Sequence, residues 1–295
     1  EQDPAHATEE IIKSNFQKII SKSISKKGII KLQKRAQQNN ELRIKKAFDL
    51  CLQSKKPVHL NIPMEEPLYN FIEQPEITLS SRKKPMSIKT DKSVFEKLVS
   101  HIKKTKKIVL IIGVQEQKSL SEKSIRNINS LTNIVVFKEH TSNVNEEIFL
   151  SNIDRLLAPI ELMKESDSIF SDLSPEIIIS LGGMIISKKM KSFLRNYKAN
   201  NHFHIGLNTA NSTYYTKVNH IQADPNYFFE NLESQKSTFP YRDNWLQLRQ
   251  KINNRHKRFL RVVKFSDLKV FEILSNKTPS NYKIQASNSS PVRYF

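Results

Sequence analysis

The sequence predicts an α/β protein organised around a doubly wound parallel sheet. Three observations carry this expectation. Short apolar runs such as KIVLIIG, NIVVF and EIIISL recur along the chain. Segments with helical spacing separate them, and the runs are apolar throughout instead of alternating, as strands covered on both faces are.

The first element is a helix in ELRIKKAFDLCLQS, followed by a short apolar strand in PVHLNIP. The stretch EEPLYNFIEQPEITLSSRKKPMSIK then carries Pro67, Pro75 and Pro85 without periodicity and reads as a linker. Asp91 suits the N-cap of a helix that places Val94, Leu98 and Ile102 on one side. After KIVLIIG come a helix around Glu122 to Leu131, the strand NIVVF, a less regular stretch that includes SNIDRLLAPIEL, and the strand EIIISL. A helix from about Ser187 to Tyr197, the strand HFHIGL and an extended VNHIQAD close a domain running from about Asp91 to Phe229. A long helical region around Trp245 leads away from it, and a second βα pattern starts with the helix SDLKVFEIL and the strand YKIQAS.

Composition narrows the function. A chain of 295 residues with 38% hydrophobic and 26% charged residues has the make-up of a soluble globular protein. It contains no apolar run of membrane-spanning length, and its start, EQDPAHATEEIIKSN, lacks the features of a signal peptide. The single cysteine, Cys51, excludes an internal disulfide and suits a cytoplasmic protein, with the thiol expected in core packing on its helix. The net charge of +19 raises the question of nucleic acid. However, the lysine pairs are scattered, from Lys26-Lys27 through Lys103-Lys104 to Lys188-Lys189, and no basic segment is interleaved with aromatics. Nucleic-acid binding is therefore not expected.

Glycine is scarce. Gly28, Gly113, Gly182, Gly183 and Gly206 form neither a G-x-G-x-x-G fingerprint nor a phosphate-binding P-loop, so no nucleotide cradle is expected. In SLGGMIISKKMKSFL, a strand runs into Gly182-Gly183 and a helix begins near Ser187, which puts Lys188 in a first helical turn at the carboxyl end of a parallel strand. Either the glycines make a tight turn and Lys188 is solvated, or the ammonium meets a carboxylate; pattern alone favours the first. His202 and His204 share a strand face, with His220 nearby. Packing or surface positions suit these histidines better than metal ligation, because no third ligand has a fixed spacing. Glu65 and Glu66 read as a solvated loop. In SNSSPVR, Asn288, Ser289 and Ser290 suit N-caps and Pro291 a first helical turn, from which Arg293 projects. That stretch is open between ordinary capping and an oxyanion held by Ser289 and Arg293.

Several of these stretches, taken in order, resemble one family. PVHLNIPMEEPLY, SLGGMIISKKMKSFLRNY and SNSSPVRY are similar to segments of the 2-succinyl-5-enolpyruvyl-6-hydroxy-3-cyclohexene-1-carboxylate synthases, thiamine-diphosphate enzymes of menaquinone biosynthesis. The resemblance runs from about Leu42 to the end. It implies a central doubly wound domain flanked by partial α/β domains. Residues 1–70 would be the end of the first, pyrimidine-binding domain, 71–90 a linker, 91–262 the central domain with its helical linker, and 263–295 the start of the third, diphosphate-binding domain.

By the same resemblance, Lys188, Ser289 and Arg293 would bind substrate, and no catalytic, cofactor or metal residue is expected in this segment. The complete enzyme would use thiamine diphosphate with Mg2+ or Mn2+ to decarboxylate 2-oxoglutarate and add the succinyl unit to isochorismate. It would do so as a homodimer or homotetramer. The family's activating glutamate falls upstream of Glu1 and its metal-binding Gly-Asp motif beyond Phe295, so this chain is expected to be a fragment, inactive alone and binding no cofactor. Rival readings are a non-catalytic α/β binding module and, more remotely, a basic nucleic-acid-binding protein.

Overall fold

The computed structural model describes residues 26–54, 56–62, 92–232, 240–287 and 289–294. The chain divides into two compact units, Glu1–Ser87 and Ile88–Phe295. In the first, α1 spans Lys26–Ser54. Cys51 on it is half-buried, short of the packed core position expected, and Phe48 and Leu52 beside it are exposed. Residues 57–62, expected as a strand, are irregular and exposed. A strand exists through its hydrogen-bonded ladder, and no described segment supplies a partner for it. Glu65 and Glu66 lie outside the described residues, as does Asp91.

The second unit is the doubly wound domain. Its elements are α2 (Lys92–Lys104), β1 (Ile108–Ile112), α3 (Glu122–Ser130), β2 (Ile134–Lys138), α4 (Ile153–Glu161), α5 (Ser166–Leu173), β3 (Ile177–Leu181), α6 (Lys188–Asn196), β4 (Asn201–Ile205), β5 (Val218–Ile221) and α7 (Pro225–Glu230). The strands form a five-stranded sheet in the order β2-β1-β3-β4-β5, with every pairing parallel. From β1 the chain steps to one side and then returns across it, so the order reverses between β1 and β3.

Pleating sorts the strand residues between two cores. Ile108, Leu110 and Ile112 of β1 face Leu98 and Ile102 of α2, Ile128 of α3 and Phe228 and Phe229 of α7. Val109 and Ile111 face Leu156 and Ile160 of α4, Met190 and Phe193 of α6 and Trp245. Capping starts the helices where the sequence offers it. The Ser121 hydroxyl accepts from the Ser124 N–H, Ser187 accepts from Met190, and Asp224 accepts from Asn226 ahead of Pro225 at the first turn.

The stretch expected to be irregular is α4, despite Pro159 inside it. An interior proline costs about 3 kcal/mol. Burying Ile153, Leu156, Leu157 and Ile160 along one stripe returns roughly 1.5–3 kcal/mol each, so burial prevails.

Beyond the sheet, α8 (Tyr241–Val262) inserts Trp245 against Phe137 and Phe193, with ring centroids 5.0 and 6.1 Å away. Two further helices follow, α9 (Asp267–Lys277) and α10 (Ser290–Tyr294), with Phe271 of α9 against Tyr294 of α10. YKIQAS, expected as a strand between them, is irregular and mostly exposed, because no described strand pairs with it. Among the described residues, no helix is long and apolar enough to cross a membrane.

Candidate functional site

In open parallel sheets a ligand crevice forms at the carboxyl ends of the strands where the order reverses. Here that edge lies between Gly113-Val114 after β1 and Gly182-Gly183 after β3, and the two loops are stitched together. The Gly113 N–H donates to the Leu181 carbonyl at 2.9 Å and the Gly183 N–H to the Val114 carbonyl at 2.7 Å. Gly182 has a φ of +69°, and a Cβ on it would sit 2.6 Å from the Val114 carbonyl oxygen. What the glycines bring close is the neighbouring loop, and the contact leaves no backbone cradle for a diphosphate between them.

One turn further on, the start of α6 is already supplied with an anion. The two carboxylate oxygens of Glu139, at the end of β2, accept from the backbone N–H groups of Ile186 and Ser187, each at 2.7 Å. These are donors that a helix start leaves unpaired. The Ser187 hydroxyl donates to Asp154 on α4, and Lys189 pairs with Glu161. Sequence reading missed Glu139 and Asp154, which sit 47 and 33 residues from their partners; no spacing rule connects them.

Lys188 is placed where expected, in the first turn of α6 at the carboxyl end of β3, and it is exposed. Because Lys189 and Glu139 already have partners, Lys188 is left as an ammonium without one among the described residues. Exposed apolar side chains, Val114, Met184 and Ile186, stand on the same loops. An unpaired cation beside apolar surface suits a carboxylate on an apolar body.

Ser289 and Arg293 lie on the last described segment. Arg293 projects from α10 into solvent, with no partner among the described residues. Ser289 precedes the helix with a φ of +78°, in the left-handed region instead of the extended geometry of an ordinary N-cap. Asn288 lies outside the described residues.

The histidines pack together. Ser180 of β3 lies 2.7 Å from His202 Nε2 and 3.0 Å from His204 Nδ1, and the rings of His204 and His220 stack at 5.9 Å. Burial, followed by the neighbouring His204, pushes His202 down to about 4, and burial followed by His220 does the same for His204. Both are therefore neutral near pH 7. Among the described residues no group of His, Cys, Asp and Glu is arranged to hold a metal.

Comparison with known proteins adds similar chains. No protein-family model matches the chain. It is 35% identical over 265 residues to a protein of Flavobacterium johnsoniae named 2-succinyl-5-enolpyruvyl-6-hydroxy-3-cyclohexene-1-carboxylate synthase, covering 88% of this chain and 47% of that protein. Proteins of the same name from Flavobacterium psychrophilum and Christiangramia forsetii are 34% and 30% identical, over 87% and 88% of this chain and 46% and 45% of their own lengths. The chain is a relative of these synthases over most of its length. It spans about half the length of each of these relatives, and its doubly wound sheet lies within the stretch for which the sequence showed the resemblance.

Proposed function

We propose that this chain is part of a thiamine-diphosphate-dependent 2-succinyl-5-enolpyruvyl-6-hydroxy-3-cyclohexene-1-carboxylate synthase of menaquinone biosynthesis. The complete enzyme would decarboxylate 2-oxoglutarate and add the succinyl unit to isochorismate. The observation that carries this reading is the similarity, over 88% of the chain, to a synthase of that name. In it, residues 1–70 end the first domain, 91–262 form the central domain and 263–295 begin the third. The complete protein works as a homodimer or homotetramer in the cytoplasm.

Both substrates are carboxylates, and Lys188 and Arg293, which have no partner among the described residues, meet that need. Lys188 stands on a capped helix, held by Ser187 and Glu139, and presents its ammonium at the sheet's carboxyl edge. Arg293, with Ser289 beside it, offers a planar fork for a second carboxylate. Thiamine diphosphate and Mg2+, when bound in the complete enzyme, supply the decarboxylation chemistry. The Gly113 and Gly183 loops close on each other and offer no backbone cradle for that group between them. No step through it is assigned to the described residues, and their part is to bind and orient substrate.

The test uses the complete protein that contains this chain, supplied with 2-oxoglutarate, isochorismate, thiamine diphosphate and Mg2+, with product detected by mass spectrometry. The expected result is turnover, with Lys188→Ala and Arg293→Ala each raising a substrate KM at least tenfold at unchanged melting temperature. An inactive but folded protein overturns the reading. Turnover with unaltered KM in both variants removes the substrate-binding roles.

A further inference from the structure

The helix α8 carries a longer apolar stripe than the core covers. Tyr241, Trp245 and Ile252 recur along one side of it and are buried. Phe259 stands on that same side, about two turns beyond Ile252, yet it is 52% exposed. Val262, the last residue of the helix, is 78% exposed, and Phe265 just past it 85%. Single exposed apolar residues are ordinary, but these gather at one helix end as a patch.

Cations border that patch. Lys251, Arg255, Arg258 and Val262 follow at spacings of four, three and four residues, which aligns them along one flank of the helix. Lys257, Arg261 and Lys264 add charge around the same end, and all of these cations are exposed. No acidic residue occurs between Asp243 and Asp267. None of the cations forms an ion pair among the described residues. On α9, Glu272 is engaged by Lys269 at 2.6 Å, and Lys269 also donates to the Leu260 carbonyl of α8 at 2.8 Å. The scatter of lysine pairs conceals this segment, RHKRFLRVVKF, because its cations are arginines and single lysines interleaved with Phe259 and Phe265. It is the exception to the pattern that argued against a phosphate-rich partner.

We propose that this end of α8 docks on an anionic lipid bilayer. Lys251, Arg255 and Arg258 meet lipid phosphates while Val262 and Phe265 enter the boundary with the acyl chains, as a basic amphipathic helix does when it lies on a membrane surface. Val262 has neither a ring to stack on a base nor a hydrogen-bonding group, so it offers nothing to a nucleic acid, whereas hydrocarbon accepts it together with Phe265. The contact is peripheral, since no described helix is long and apolar enough to cross a membrane. It does not depend on the synthase reading and uses none of Lys188, Ser289 and Arg293.

The test is cosedimentation of the complete protein that contains this chain with vesicles of equimolar phosphatidylcholine and phosphatidylglycerol, against vesicles of phosphatidylcholine alone. Saturable binding to the mixed vesicles is expected, weakened by salt and about tenfold or more tighter than to phosphatidylcholine. Arg255→Glu with Arg258→Glu is expected to lower the affinity about tenfold or more. Val262→Ser with Phe265→Ser should also lower it, and both pairs are exposed, so the melting temperature should not move. A complete protein that ignores the mixed vesicles overturns the proposal; poly(U) RNA bound instead through the same arginines would make the patch a nucleic-acid surface. Equal binding to the two kinds of vesicle, or parental affinity in the serine pair, overturns it as well.

Discussion

Gly113 and Gly183 meet backbone against backbone at the point where the strand order reverses: a Cβ on Gly113 would lie 1.7 Å from the Gly183 carbonyl oxygen. The obstacle is main chain, which cannot swing aside as a side chain can. Gly113→Ala therefore has to push the two loops apart and break the Gly113–Leu181 and Gly183–Val114 hydrogen bonds. A loss of about 3 kcal/mol or more is expected in urea unfolding. A variant as stable as the parent would show that the loops do not touch.

Glu139 is the second structural anchor of this edge. Its carboxylate accepts two backbone N–H groups at the start of α6. Charge-assisted bonds of this kind contribute about 1.5–3 kcal/mol. Glu139→Ala is expected to cost about 2–4 kcal/mol and to fray the first turn of α6, so that Lys188 loses its fixed position. Amide hydrogen exchange should accelerate at Ile186 and Ser187 first, and exchange that accelerates evenly along α6 would contradict this role.

How much of this was legible in the sequence depends on distance along the chain. The strands β1, β2 and β3 were readable because each is a local apolar run, and α6 because Ser187 caps it locally. The helix α4 was read as less regular because its stripe of Ile153, Leu156, Leu157 and Ile160 is short, contains Pro159 and is rewarded only by the folded core. The strands expected in PVHLNIP and YKIQAS failed for the opposite reason. Their composition suits a strand, but a strand also needs a partner, and no described segment provides one. Lys188 could be placed but not decided upon, since its lack of a partner depends on Glu161 and Glu139 engaging its neighbours. Alternation put His202 and His204 on one face. That Ser180 satisfies both is a cross-strand contact, 22 and 24 residues away in sequence.

Ser180 should accordingly matter more than a serine in an apolar strand normally would. Ser180→Ala leaves two buried imidazole nitrogens unpaired, each worth about 1–3 kcal/mol, and a destabilisation of about 2–4 kcal/mol is expected. Ser180→Thr keeps the hydroxyl on a β-branched residue suited to a strand and should recover part of the loss. Equal losses in the two variants would mean that packing volume, not the hydroxyl, is at stake.

The same histidines set a pH dependence whose sign follows from their burial. Each titrates near 6.5 when unfolded and near 4 when folded, because the folded chain desolvates the charged ring. Between those values the unfolded state binds more protons, so falling pH draws the protein toward unfolding. The contribution is complete above about pH 6.5 and lost as the pH falls toward 4, on the order of 3 kcal/mol per histidine. The groups nearest the pair are Ser180, His220 and Tyr214, with Glu139 and Arg195 acting on Tyr214. His256, also lowered by burial and then by Arg155, adds in the same direction. Urea unfolding at successive pH values from 7 to 4 should show stability declining, and His202→Gln, which cannot be charged, should flatten the slope. A slope identical in that variant would place the titration elsewhere and remove the buried pair as its origin.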